Sequence, residues 1–210
     1  MEKLNHYDVF EVIDTFDIEK NRDCLILKNW VAVSGIFTPY EAQFIEQARQ
    51  KLELKWDEWN EEELKMHFIS IIFFLAEIDT PRLISTFYER RLSGTVKNIA
   101  ISVIVDCMLA MPTNSGRPKS PYFFLQEFKR SLGDSHDPEG QMLAAMILSQ
   151  ELNKDEKPLY GCWIQGKNWN FTVLNATEYC VSKQFDATDA DDLLQIVFIL
   201  RKLKTLILER

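Results

Sequence analysis

Glu127 and Lys129 lie two residues apart in the apolar segment PYFFLQEFK, residues 121–129. On a β-strand this spacing projects both side chains from one face, with Phe123 and Leu125, while Tyr122, Phe124, Gln126 and Phe128 line the other. Both faces are largely apolar, so a charged pair near the strand end calls for an opposite charge or a metal ion. A second acid, Asp106, ends the β-branched run IAISVIVD of the preceding strand. Antiparallel pairing of the two strands brings Asp106 beside Glu127. Two converging carboxylates repel unless a divalent cation sits between them, and an all-oxygen donor set suits Mg2+ or Mn2+. Lys129, one pleat along the same face, then contacts a phosphate or orients an attacking water. Gln141 projects toward the same edge from the next helix, which Asp137, Pro138 and Glu139 open as N-cap, first helical residue and first-turn acid. E-x-K alone is not specific. It recurs at Glu53–Lys55 and Glu63–Lys65, in helix-period segments where the two side chains do not share a face.

The elements that must position these residues follow from periodicity and punctuation. Residues 1–37 mix short apolar runs with acidic turns and read as a strand pair or an irregular cap. Thr38, Pro39 and Glu41 form a capping box with proline at the first helical position, and a helix follows to about residue 54. A second, strongly apolar helix over about 60–78 carries Leu64, Phe68, Ile71, Ile72 and Leu75 at helical spacing. Residues 85–96, 99–111 and 121–129 read as a three-strand meander, with a turn at 112–118. Two or three strands over 159–185 and an amphipathic helix over 189–208 complete the order ααβββαββα. This is an α/β (mixed α+β) three-layer domain with a central mixed sheet. Residues 60–210 form the core, and residues 1–59 an N-terminal elaboration of short strands plus a helix.

The chain has 210 residues, 46% of them hydrophobic, enough to bury a full core as one domain. Its longest apolar run, residues 68–76, is too short to span a bilayer, and the first ten residues lack a signal-peptide core, which reads as a cytoplasmic protein. Cys24, Cys107, Cys162 and Cys180 show neither C-x-x-C spacing nor a zinc pattern with the three histidines, so they read as buried, reduced thiols. The net charge of −8 argues against a broad nucleic-acid footprint. The segment 82–130 is nonetheless locally basic, with Arg82, Arg90, Arg91, Lys97, Arg117, Lys119, Lys129 and Arg130 against Glu89, Asp106 and Glu127.

Taken in order, a helix with an acidic start (NEEELKMHFI), a strand ending in aspartate (ISVIVDCMLA), a strand bearing E-x-K (YFFLQEFK) and a helix bearing glutamine (DPEGQMLAAM) resemble the PD-(D/E)XK nuclease superfamily over residues 60–208. The resemblance implies a restriction-endonuclease-like fold and a divalent-metal phosphodiesterase site. It implies Asp106 and Glu127 as metal ligands, Lys129 as the catalytic lysine, and Gln141 as the glutamine of the following helix. It also implies a further acid in the early helix. Glu61, in phase with Leu64, Phe68 and Ile72, fits best, with Glu62 and Glu63 as alternatives. No proline precedes Asp106, and the 21 residues from Asp106 to Glu127 require an extended hairpin. Two functions follow as expectations. One is a Mg2+-dependent (or Mn2+-dependent) nuclease acting on DNA rather than RNA, alone, as a homodimer or with a partner subunit. The other is an inactive nuclease-fold binding or assembly module acting with a partner protein. Read individually, Glu127 and Lys129 also suit a cross-strand ion pair, and Asp106 and Glu61 suit simple caps.

Overall fold

The structure, a computed structural model, describes residues 2–3, 7–129 and 137–210. Arg130 and His136 lie outside the described residues. Short-range side-chain chemistry sets most element boundaries. After a two-residue strand β1 (Glu2–Lys3), Asp8 accepts from the amides of Phe10 and Glu11 and starts α1 (Val9–Phe16). Strand β2 (Glu19–Asn21) and helix α2 (Leu25–Val31) come next. Among the described residues of 1–37 there are two helices and two very short strands, a correction to the expected strand pair or irregular cap. Tertiary contact decides it: Leu27 and Trp30, one helical turn apart, are both buried, and the Trp30 indole donates to the Ile199 carbonyl at 2.9 Å.

Thr38 and Glu41 cap α3 (Pro39–Lys55) reciprocally, and Asn60 and Glu63 do the same for α4 (Glu61–Leu64). A π-helical stretch over Lys65–Ile69 joins α4 to α5 (Ser70–Ala76), so the expected long apolar helix is one continuous run with a wide turn in it. Strands β3 (Ser85–Val96), β4 (Ile99–Pro112) and β5 (Pro118–Lys129) form the meander. Asp137 caps α6 (Pro138–Asn153). Strands β6 (Leu159–Gln165), β7 (Asn168–Asn175) and β8 (Glu178–Asp186) precede α7 (Ala190–Leu208), which Asp189 caps.

The strands run in the order β1-β4-β5-β6-β7-β8-β2, with β3 on the outer side of β4. Pairs β1–β4, β5–β6 and β2–β8 are parallel, and β3–β4, β4–β5, β6–β7 and β7–β8 antiparallel. One face buries Trp30, Ile45, Ile72, Phe73, Phe124 and Leu200 with α2, α3, α5 and α7. The other buries Val12, Phe16, Val105, Met142 and Met146 with α1 and α6. The result is the mixed α/β sheet flanked by helices that the residue pattern implies. A bulge lies where Leu109 pairs Phe124 but Ala110 pairs Tyr122. The extra residue, Phe123, shares the core of Phe124 and Phe128, not the Glu127 face expected from strict alternation.

Helix α6 is buried nearly all round, from Met142 to Ser149. It passes so close to α1 that a Cβ on Gly140 would stand 2.0 Å from the Tyr7 carbonyl oxygen. Asp137 locks this junction, its Oδ2 accepting the Val9 amide at 2.7 Å while Oδ1 caps its own helix. No helix among the described residues is long and apolar enough to cross a membrane.

Candidate metal centre

The β4–β5 ladder runs from the Pro112–Pro118 end to Cys107 opposite Gln126 and stops there. Beyond that point β5 stays bound to β6 on its other side, with Glu127 opposite Trp163 and Lys129 opposite Gln165. The side chain of Asp106 takes over on the open side, its Oδ2 accepting the Phe128 amide at 2.8 Å. Asp106, Glu127 and Lys129 are all buried, Glu127 at only 2% exposure.

Glu127 Oε1 is buried without a hydrogen-bond partner. A carboxylate oxygen left dry and unpaired is costly, and the group responds by holding its proton. Burial pushes the Glu127 carboxyl well above the ordinary range. The facing Asp106 carboxylate pushes it further, Lys129 opposes, and Glu61 adds a smaller push. Of the five residues named from sequence, three charged ones, Asp106, Lys129 and Glu61, thus sit within electrostatic reach of the fourth, Glu127.

Glu61 is the member of the acidic triplet that turns inward. Its Oε2 is 3.9 Å from Lys129 Nζ and its Oε1 is 2.9 Å from Lys65 Nζ. Glu63 closes the capping box on Asn60, and Glu62 stays largely in solvent. Gln141 lies in the first turn of α6, with its Oε1 buried and unpartnered. No hydrogen bond joins it to Asp106, Glu127 or Lys129 among the described residues.

Lys65 is the residue that sequence reasoning missed. Its ammonium lies 3.4 Å from Asp106 Oδ1, 2.9 Å from Glu61, 2.8 Å from Glu89 and 3.3 Å from Glu62, and sits over the Phe128 ring. Burial works against the charged form, but the Glu89, Glu61 and Asp106 carboxylates outweigh it and hold Lys65 above the usual lysine range. Glu89 leaves the β3 ladder to reach it, with φ of 51° between Tyr88 opposite Cys107 and Arg90 opposite Val105. A non-glycine residue in that region stores about 1–3 kcal/mol of strain. The signal in the sequence was the spacing of four between Glu61 and Lys65, which puts both on the stripe that continues through Phe68 and Ile72.

Of the basic segment, Arg90 and Arg91 stand exposed on outer strand β3, opposite Val105 and Ile104 next to Asp106. Arg117 and Lys119 lie at the hairpin end of β5. The eight residues from Lys119 to Glu127 span about 26 Å along a strand, so only part of the basic segment borders the carboxylates. Lys97 binds Asp17 and the Phe16 carbonyl.

The unpaired Glu127 Oε1 and the Asp106 Oδ1 that Lys65 holds are oxygen donors of the kind a hard divalent cation takes, but Asp106, Glu127 and Glu61 do not each bring an oxygen within 4.8 Å of the others, and the ammonium between Asp106 and Glu61 is the cation this arrangement contains.

No family model matches the chain, and no curated protein does. Among solved structures it is similar to a chain described as "cryoEM structure DrdV-DNA complex", with 12% sequence identity and a TM-score of 0.41. The likeness covers 76% of this chain and 14% of that one, so this chain spans a small part of that protein's length.

Proposed function

We propose that the chain is a divalent-metal-dependent nuclease of the PD-(D/E)XK type acting on DNA, with residues 60–210 as its nuclease-like unit. One observation carries the reading: two buried carboxylates, Asp106 and Glu127, face each other where the β4–β5 ladder ends, one with an unpaired oxygen, beside a buried lysine two residues along. Asp106, Glu127 and Glu61 would hold Mg2+ or Mn2+, which supplies Lewis-acid stabilisation of the charge that develops on a phosphodiester under attack.

The rest falls to the chain's own residues. The Phe128 amide fixes the Asp106 carboxylate so that its second oxygen points into the site. Lys129, its strand continued into Gly166 by a 2.9 Å hydrogen bond from the Gly166 amide to its carbonyl, is held in place to meet a phosphate oxygen or the attacking water. Lys65 neutralises Asp106 and Glu61, and would give up Asp106 to a bound cation. Glu89 and Glu62, on the solvent side of Lys65, receive the displaced ammonium. Arg90 and Arg91 offer phosphate contacts beside the site.

A second reading has a specific observation in its favour. The Lys65 and Lys129 ammoniums together match the Asp106 and Glu61 carboxylates without a metal, which suits a metal-free nuclease-fold module that assembles with a partner protein. Cleavage of plasmid and single-stranded DNA separates the two. Native chain with Mg2+ or Mn2+ is expected to cut, and Asp106→Ala and Lys129→Ala to abolish cutting. A folded native chain that is inert with both metals on both substrates refutes the nuclease reading.

A further inference from the structure

At the opposite edge of the sheet, β2 carries the chain back beside β8 with Asn21 opposite Cys180 and Glu19 opposite Glu178. The Asn21 side chain builds the turn after β2. Its Oδ1 accepts the Asp23 amide at 2.8 Å and directs the chain into α2, while its Nδ2 donates to Glu178 Oε1 at 2.9 Å. The turn delivers Cys24 to the N-cap of α2. Its side chain makes no capping hydrogen bond there, a poor use of a cap position otherwise favouring an oxygen. The thiol is instead buried against the sheet, where it meets Cys180. Glu178 and Cys180 are two apart on β8 and project from one face. The Cys24 sulfur, the Cys180 sulfur and a Glu178 carboxylate oxygen all lie within 4.8 Å of one another.

Both thiols are buried and Glu178 is half-buried, yet among the described residues no lysine, arginine or histidine pairs with Glu178. Its one polar partner, Asn21, is neutral. A half-buried carboxylate against two buried sulfurs has no positive charge beside it among the described residues, and all three groups are metal donors. The paired thiols alone would suit a disulfide equally well; the converging carboxylate, oriented from outside by the Asn21 amide, sets the metal reading apart.

We propose that Cys24, Cys180 and Glu178 form a second metal site, selective for a thiophilic divalent cation of the Zn2+ class. Two sulfurs and one oxygen supply three tetrahedral positions, and the fourth is left to water. Binding replaces the two thiol protons with one cation and involves no change of oxidation state. The ion would fasten the three-residue strand β2 and the start of α2 to β8. The site is separate from the carboxylates of Asp106 and Glu127 in place and in donor chemistry, and stands whether or not the nuclease reading does.

Co2+ titration of the full, reduced chain tests it, because thiolate-to-Co2+ charge-transfer absorption in the near ultraviolet reports sulfur ligation and oxygen-only sites do not produce it. The native chain and Asp106→Ala are expected to show the band saturating at one equivalent, with one equivalent of Zn2+ displacing it. Cys180→Ser is expected to lose it. Glu178→Gln, which keeps the Asn21 contact and tests the site without opening a buried position, is expected to weaken binding by at least about tenfold. A folded, reduced native chain with no band overturns the proposal. So does a band unchanged in Glu178→Gln and in the double variant Cys24→Ser/Cys180→Ser, or a native chain that forms a Cys24–Cys180 disulfide and takes up no metal after reduction.

Discussion

Replacing Lys65 with methionine removes an ammonium and leaves a side chain of similar length. The loss is unequal across its partners. Glu62 and Glu89 are well exposed and return to water at little cost, since exposed ion pairs contribute about 0–1 kcal/mol. Asp106 and Glu61 are different, with side chains 10% and 30% exposed. Leaving a buried charge without its partner costs about 3–5 kcal/mol. Asp106 keeps its bond to the Phe128 amide and Glu61 is partly wet, so about 2–3 kcal/mol is the reasonable share for Lys65→Met. For a chain of this size that is a fall in Tm of roughly 5–10 °C without metal. With saturating Mn2+ the order reverses in the ligand-induced part: the variant's Tm rises more than the native protein's, because the cation no longer competes with an ammonium. The assay is differential scanning calorimetry of both proteins with chelator and with Mn2+. Equal Tm values with chelator, or equal Mn2+ shifts, refute the idea that Lys65 occupies the place of the cation.

Glu127→Gln tests the buried carboxyl itself. Its native pKa lies above 4.5, so between that value and the raised one the folded state holds a proton that the unfolded state has lost. Stability from this group is present at low pH and falls as pH rises, by up to about 1.4 kcal/mol per pH unit, and urea titrations across pH should show Glu127→Gln flattening that slope in metal-free protein. Arg90→Ala and Arg91→Ala should each reduce the salt dependence of DNA binding, read by fluorescence anisotropy, by about one unit of log K against log salt, leaving Mn2+ affinity unchanged. Gly140→Ala forces α6 from the Tyr7 carbonyl and should cost about 2 kcal/mol in urea unfolding, since backbone cannot yield as a side chain would.

The parts of the fold that sequence made legible are those whose signals are local. Capping residues at Thr38 and Asp137 mark helix starts because each satisfies orphan amides within three residues. The β-branched run before Asp106 pairs with β3, and the E-x-K strand pairs with residues 107–112 of β4, departing from strict alternation at the Phe123 bulge. Residues 25–31 were opaque because a β-rich composition folds as helix only when Trp30 finds the Ile199 carbonyl, 169 positions away. The site divides the same way. Asp106, Glu127 and Lys129 follow from strand register, and Glu61 from helix phase. Lys65 does not stand out, since its role depends on Glu89 departing from the β3 ladder and on the β4–β5 ladder stopping at Cys107, both tertiary events. Cys24 and Cys180 were likewise invisible as a pair, being joined only by the parallel register of β2 and β8.

The most direct test of the central claim is a crystal of the native chain soaked in Mn2+, read by anomalous difference density. The expected result is a peak bounded by oxygens of Asp106 and Glu127 at about 2.0–2.2 Å, with Lys129 beside it and the Lys65 ammonium withdrawn from Asp106 toward Glu89 and Glu62. A saturated crystal with no peak there, and Lys65 still on Asp106, would contradict it.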